Sequence, residues 1–147
     1  MHSYHSNLQH VIFGTKDRLP LLLPELREPV RAYMGGIARK HGMRALASGG
    51  VADHVHILLS LPATLDIAKA VQLIKAGSSK WLRETYRARF RWQEGYASFS
   101  VSQSQADRVR DYIRNQEQHH RRRDFKQELQ ALLRRHGIAF EPDDLDT

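Results

Sequence analysis

The stretch over residues 51–61, VADHVHILLSL, constrains the fold of this chain more than any other. It is an apolar, β-branched run that lies between a Gly-Gly pair and a proline, a pattern typical of a buried strand. Successive side chains on a strand point to opposite faces, so His54 and His56 project from the same face. Two imidazoles on a rigid strand supply two ligands of a metal site. Taken alone, such a pair is more often two satisfied core histidines, so the rest of the chain has to decide.

Composition limits the class of protein and suggests a partner. The chain has 147 residues and no cysteine, which favours one domain and excludes disulfides, thiolate metal sites and cysteine catalysis. It has no signal-peptide pattern and no apolar run near the roughly 20 residues that span a bilayer, so we expect a soluble cytoplasmic protein. The net charge of +7 favours a polyanion such as nucleic acid, although a merely basic protein is compatible with it.

Hydrophobic periodicity predicts eight elements in the order β-α-β-β-α-β-α-α. The predicted strands cover 2–15, 43–48, 51–61 and 96–102, and the predicted helices 24–41, 65–83, 105–123 and 124–136. This order fits an α+β fold in which helices pack on one face of an antiparallel sheet. We expect one domain over 1–138 and an acidic, mobile tail over 139–147.

The third predicted helix supplies a second pair of polar residues. Tyr112 and Gln116 are four residues apart and therefore lie on one helix face. If that face meets the histidine strand, Gln116 becomes a third metal ligand beside His54 and His56. Nitrogen and oxygen donors without thiolate fit Mg²⁺ or Mn²⁺ as readily as Zn²⁺, and the divalent ion suits a phosphodiester. Tyr112 would then be a nucleophile that forms a phosphotyrosine ester, unless it is simply a half-buried helix aromatic.

Other polar residues have weaker assignments. Asp53 either orients His54 or shapes the turn before it. His119 and His120 are expected to be solvated histidines at a helix end, and the basic run 121–123 is either solvated or a phosphate contact. Possible DNA contacts, each of which is equally compatible with a solvated face or a core anchor, are Lys16, Arg18, Lys75, Ser78, Lys80, Arg91 and Trp92.

Two motifs in this order resemble a known family. DHVHILLSLP at 53–62, followed by VRDYIRNQEQHH at 109–120, is similar to the single-tyrosine HUH transposases of the insertion-sequence 200/605 type. That family includes domesticated relatives found near palindromic elements. The resemblance continues through residues 11–20, 74–82, 92–104 and 125–138.

The resemblance implies roles for particular residues. His54 and His56 match the family's metal-binding histidines, Gln116 its third ligand and Tyr112 its nucleophile. It also implies an RRM/ferredoxin-like fold with a four- to five-stranded antiparallel sheet, a divalent metal (Mg²⁺ or Mn²⁺) and single-stranded DNA ends that form hairpins. It further implies an obligate homodimer in which the tyrosine helix of one subunit completes the metal site of the other.

These observations lead to one main hypothesis and its alternatives. We expect a transposase that cleaves and rejoins single-stranded DNA through a 5′-phosphotyrosine at Tyr112, in a bacterial or archaeal cytoplasm and on the nucleoid when active. A domesticated relative that acts on chromosomal palindromes is a close alternative. Two different classes also stay open: a non-catalytic module that binds single-stranded nucleic acid, and a metal-dependent phosphodiesterase that uses water.

Overall fold

The structure is a computed structural model that describes residues 1–120 and 123–146. Two arginines of the predicted basic run, at 121 and 122, lie outside the described residues. The strands and helices, in chain order, are β1 (Leu8–Gly14), α1 (Pro24–Lys40), β2 (Arg44–Gly50), β3 (His54–Ser60), α2 (Ile67–Tyr86), β4 (Ala97–Val101), α3 (Ala106–Arg114), α4 (Gln116–His119) and α5 (Phe125–Arg135). This order confirms the predicted one, except that the first strand begins at Leu8 and the third helix is interrupted.

The four strands form one antiparallel sheet in the order β2-β3-β1-β4. β3 is therefore an interior strand, as its nearly continuous apolar sequence predicted. In the register with β1, His56 lies opposite Ile12 and His54 lies opposite Gly14. Because side chains alternate along a strand, His54, His56 and Ile12 share one face of the sheet.

Helices α1 and α2 cover the opposite face and form the larger core with it. Asp66 begins α2, since its side chain accepts a hydrogen bond from the backbone N–H of Lys69. The strand residues of this core are Val11, Phe13, Val55, Ile57 and Leu59, and the helix residues include Val30, Met34, Val71 and Ile74. Burial of these aliphatic and aromatic side chains is the main source of stability for this layer.

Helices α3 and α5 cover the face that carries the histidines. Ile113 of α3 packs with Leu8 and Leu58, whereas α5 packs its apolar stripe, which includes Phe125 and Leu129, against this face. The α+β class and the antiparallel sheet are thus confirmed. The prediction that helices pack on one face of the sheet holds only for α1 and α2. Helices α3 and α5 pack on the other face, because the histidine face also carries large apolar side chains that must be covered.

The third predicted helix ends early, and this changes the path of the chain. α3 ends at Arg114, Asn115 has non-helical angles (φ −100°, ψ 29°), and α4 is one turn long. Asparagine is a weak helix former because its side chain competes for backbone hydrogen bonds. Asp124 then caps α5 in a capping box with Gln127. The chain changes direction at this break, so that α5 can pack against the same face of the sheet as α3.

The acidic tail is partly structured. Residues Pro142–Asp146 form a short 3₁₀ helix, and Phe140 and Leu145 pack against the α5 layer. The expected mobility of the tail stays a prediction. Among the described residues, no helix is both long enough and apolar enough to cross a membrane.

Candidate active site

The two histidines of β3 are fully buried and held through their Nδ1 atoms. His54 donates through Nδ1 to Asp53 at 2.8 Å, and Nδ1 of His56 lies 2.8 Å from Nε2 of His10. An imidazole fixed at one nitrogen presents its other nitrogen in a defined direction. The Nε2 atoms of His54 and His56 are therefore the ones available to a ligand, and the orienting role considered for Asp53 is consistent with this geometry.

Glu128 of α5 brings the Nε2 atoms together. Its side chain is buried, and its Oε1 lies 2.9 Å from Nε2 of His56, 3.3 Å from Nε2 of His54 and 3.2 Å from Nε2 of His120. The ligand atoms of these four residues all lie within 4.8 Å of one another, so the group has donors suited to one metal ion. The expectation that His120 is solvated was wrong, because Glu128 attracts its imidazole into the site.

Glu128 was not predicted as a site residue from the sequence. One signal could have found it, since residue 128 falls on the same face of α5 as Phe125, Leu129 and Leu132. A carboxylate on an apolar stripe is costly to bury unless it has partners. Its presence there indicates a polar site beneath the helix.

Tyr112 of α3 lies beside this group within the same chain. Its hydroxyl donates a hydrogen bond to Oε2 of Glu128, and its ring centroid is 5.9 Å from that of His56. The ring also stacks on His119, with centroids 4.5 Å apart. The structure therefore brings the predicted nucleophile next to the predicted histidine ligands.

Gln116 is buried close to Tyr112. Its Nε2 donates to the backbone carbonyl of Tyr112 at 3.2 Å. Its Oε1 is buried and accepts no hydrogen bond from the described residues; Nε2 of His54 also lacks a hydrogen-bond partner there, because its contact with Glu128 lacks hydrogen-bond geometry. Buried acceptor atoms without partners are costly, and a bound cation would satisfy them. The site thus fits a divalent metal, while Gln116 as the third ligand stays a prediction.

The charged groups perturb one another strongly. Burial lowers the pKa of His56 to about 4 although Glu128 opposes the shift, so this imidazole is neutral at pH 7, the form that binds metals. Burial alone would lower the pKa of His54, but Asp53 and Glu128 outweigh it and raise that pKa. Burial alone would raise the pKa of the Glu128 carboxyl, but its histidine neighbours outweigh burial and lower that pKa. Burial and Glu128 raise the pKa of Tyr112, which is therefore a protonated phenol at neutral pH.

Three of the possible DNA contacts have hydrogen-bond partners within the chain. Ser78 and Trp92 are buried, and the indole Nε1–H of Trp92 donates to the hydroxyl of Ser78 at 2.9 Å. This pair belongs to the α2 core, which is the alternative that the sequence left open for both. Lys75 also has partners within the chain, because its Nζ donates hydrogen bonds to the carbonyls of Gln93 and Gly95 at 2.6 and 2.8 Å.

The other possible DNA contacts lie at the surface. Lys16, Lys80 and Arg91 are exposed. The Arg18 guanidinium lies over the ring of Phe125, 4.8 Å from its centroid, close to the histidine site. These four stay predictions for contacts with nucleic acid.

Known proteins resemble this chain in both sequence and fold. The family model for IS200-like transposases matches residues 3–116. The transposase for insertion sequence element IS200 of Salmonella typhimurium is 29% identical over 114 residues, covering 73% of this chain and 74% of the relative. The ISDra2 transposase TnpA of Deinococcus radiodurans is 25% identical over 114 residues, covering 73% and 81%.

Two solved structures share the fold. A crystal structure of a transposase candidate from Deinococcus radiodurans superimposes with a TM-score of 0.64 at 23% identity, covering 79% of this chain and 95% of the other. A REP-associated tyrosine transposase bound to a REP hairpin gives a TM-score of 0.60 at 16% identity, covering 82% and 74%. The fold class predicted from the sequence is thereby confirmed a second time.

The matched region includes the motif residues but not the whole candidate site. His54, His56, Tyr112 and Gln116 fall within residues 3–116, whereas His120 and Glu128 follow it. Since the family model matches well over half of the sequence, this chain belongs to the IS200-like transposase family.

Proposed function

We propose that this protein cleaves and rejoins single-stranded DNA through a 5′-phosphotyrosine at Tyr112, assisted by Mg²⁺ or Mn²⁺. The observation that carries the proposal is the contact between Tyr112 and Glu128. The same carboxylate that accepts from the phenol also lies against His54, His56 and His120. A nucleophile and a set of metal-binding side chains thus meet at one buried group, in a chain that belongs to a transposase family.

The side chains that would hold the metal are those of the histidine group. His54 and His56 offer nitrogen donors, and the oxygen donor is Oε1 of Gln116 or the carboxylate of Glu128. A divalent ion held by these side chains would supply charge neutralisation to a phosphodiester and would make its phosphorus more electrophilic. His10 and Asp53 hold the two β3 imidazoles in the orientation that this requires.

Tyr112 performs the proposed covalent step. Its oxygen attacks the phosphorus, the bond from phosphorus to the 3′ oxygen breaks, and the phenol proton ends on the released 3′ hydroxyl. The 5′ phosphate is then esterified to Tyr112, so the bond energy is kept for attack by another 3′ hydroxyl. Before the attack, Oε2 of Glu128 holds the phenol hydroxyl in place.

Single-stranded DNA with hairpin ends is the proposed substrate, acted on in the cytoplasm. The basic charge and the family support a DNA partner, and one solved relative of the same fold is bound to a REP hairpin. Water in place of tyrosine as the nucleophile would instead make the protein a hydrolase, and the experiment below distinguishes the two.

The test mixes purified protein with Mn²⁺ or Mg²⁺ and labelled single-stranded DNA that carries hairpin ends from its own locus. We expect a protein–DNA adduct on a denaturing gel, which disappears in Tyr112→Phe and with EDTA. Cleavage without an adduct that survives Tyr112→Phe would replace the transferase with a hydrolase. Binding with neither cleavage nor adduct on the correct ends would leave a binding module.

A homodimer with shared sites is proposed only from the resemblance. The structure describes a single chain, in which Tyr112 contacts Glu128 and lies beside His56. Mixing His54→Ala protein with Tyr112→Phe protein tests sharing. Adduct formation by the mixture, when neither variant is active alone, supports exchange between subunits, whereas an inactive mixture of exchanging subunits supports a site within one chain.

A further inference from the structure

A cavity of about 840 Å³ opens beside Tyr112, on the histidine face of the sheet. β4, α3 and α5 form its walls. Its volume is in the range of cavities that bind small molecules or single nucleotides. Tyr112 lies in its wall, so anything bound there is next to the proposed nucleophile.

The cavity carries positive charge on two sides. Arg108 of α3 and Arg135 of α5 both line it and are both exposed. Within residues 1–120 and 123–146, neither guanidinium makes a hydrogen bond or ion pair, and no Asp or Glu side chain lines the cavity. A cavity with no carboxylate and with two guanidinium groups that lack partners among the described residues favours binding of an anion. The paired N–H donors of a guanidinium group fit the oxygens of a phosphate particularly well.

Each of the two arginines lies on the same helix face as a residue of the candidate active site. Arg108 precedes Tyr112 by four residues on α3, and Arg135 follows Glu128 by seven residues on α5. Residues at these spacings share a helix face, so each arginine lies on the face of its helix that carries a site residue. Arg108 is about 6 Å along the helix axis from Tyr112, and Arg135 about 10 Å from Glu128. The charges thus extend away from the nucleophile along both helices.

An aromatic surface completes the cavity wall. The exposed imidazole of His136 stacks on the buried ring of Phe99, with centroids 4.3 Å apart and planes 21° apart. Its Nδ1 contacts the carbonyl of Leu132 at 2.9 Å, which fixes the ring. A fixed, exposed ring next to phosphate-binding groups is suited to stacking on a nucleobase.

We propose that this cavity binds the nucleotides of single-stranded DNA adjacent to the scissile phosphate. Arg108 and Arg135 contact backbone phosphates, and His136 stacks on a base. The assignment deepens the proposed function and rests on it for the identity of the scissile phosphate. None of these three residues was among the DNA contacts expected from the sequence.

The first test measures binding without cleavage, in a Tyr112→Phe background. Arg108→Gln and Arg135→Gln should each weaken binding of a labelled single-stranded oligonucleotide about tenfold, by fluorescence anisotropy. Each should also reduce the slope of log affinity against log salt by about 0.7, the value for one lost phosphate contact. The control is Arg39→Gln, which removes the same charge from an exposed position on α1. Losses no larger than those of the control would overturn the proposal.

The second test locates the DNA. The chain has no cysteine, so a single introduced thiol reports one position. Ser102→Cys places it in the wall of this cavity, and Ser79→Cys places it in a separate cavity on α2. DNA whose nucleotide next to the cleavage site carries a tethered mixed disulfide should exchange with the former thiol, releasing the small thiol of the tether, and not with the latter. Cross-linking at position 79 alone would overturn the proposal.

The two proposals can fail separately. If the arginine variants lose binding and position 102 cross-links, but no adduct forms on Tyr112, the cavity assignment holds and the proposed chemistry fails. If the adduct forms normally while both arginine substitutions leave DNA affinity unchanged, the proposed reaction at Tyr112 holds and the cavity assignment fails.

Discussion

Gly49 allows α3 to lie directly against β2, and this contact yields a sharp prediction. A Cβ built on Gly49 would meet the carbonyl oxygen of Ile113 at 1.9 Å and its carbonyl carbon at 3.0 Å. Ile113 is fully buried and is the neighbour of Tyr112 in α3. The contact is made by backbone atoms, so no side-chain rotation can relieve the clash.

The size of the displacement follows from these distances. Ordinary contacts of a Cβ begin at 3.4 Å, so α3 has to move by about 1.5 Å to accommodate Gly49→Ala. The movement displaces Tyr112 relative to Glu128, with which its hydroxyl is hydrogen-bonded. A misplacement of about 1 Å can slow a reaction about 100-fold, and overpacking costs about 1–3 kcal/mol of stability. We therefore expect adduct formation to be at least about 100-fold slower.

The assay is the single-turnover rate of adduct formation, with circular dichroism to confirm folding. Gly36→Ala is the matched control, because its nearest neighbour is a flexible Arg39 guanidinium atom 3.8 Å away on the same helix. Alanine inside a helix is favoured over glycine by up to about 1 kcal/mol, so this variant should be at least as stable as the wild type and equally active. A folded Gly49→Ala protein that forms the adduct at the wild-type rate would show that the contact between Gly49 and Ile113 does not position Tyr112.

Three further substitutions test individual contacts. Glu128→Gln removes the anion among the imidazoles and should weaken Mn²⁺ binding at least about tenfold by calorimetry; unchanged affinity would exclude the carboxylate as a ligand. His10→Phe removes the partner of Nδ1 of His56 and should weaken Mn²⁺ binding about 10- to 100-fold, and equal affinity would contradict the orienting role. Ser78→Ala leaves the buried indole N–H of Trp92 without an acceptor and should cost about 1–3 kcal/mol in urea denaturation, with DNA affinity unchanged. Weaker DNA binding at full stability would instead make Ser78 a DNA contact.

Local sequence patterns predicted the parts of the site that lie within single elements. Alternation along β3 placed His54 and His56 on one face, and the four-residue spacing placed Tyr112 and Gln116 on one helix face. Both placements depend only on the geometry of a strand or a helix. The meeting of the two faces required a guess about packing, which the position of Tyr112 beside His56 supports.

The parts that depend on the return of the chain were not predicted. Glu128 contacts His56, which is 72 residues away in sequence, and the local pattern of α5 does not indicate which residue Glu128 contacts. His120 follows the break at Asn115, so a continuous third helix gave it the wrong surroundings. A solvated histidine at a helix end and one held beside a buried carboxylate have the same local sequence, and tertiary packing alone distinguishes them.

The central claim is that the Tyr112 oxygen becomes esterified to the 5′ phosphate of cleaved DNA, and peptide mass spectrometry tests it directly. After reaction with Mn²⁺ and a hairpin-bearing oligonucleotide, the sample is digested with nuclease and trypsin, which releases residues 111–114 as the peptide DYIR. We expect this peptide with a 5′-nucleotide fragment attached to its tyrosine, and we expect the attached fragment to be absent when EDTA is added. DNA that is cleaved while DYIR is recovered unmodified, or a nucleotide attached to another residue, would contradict it.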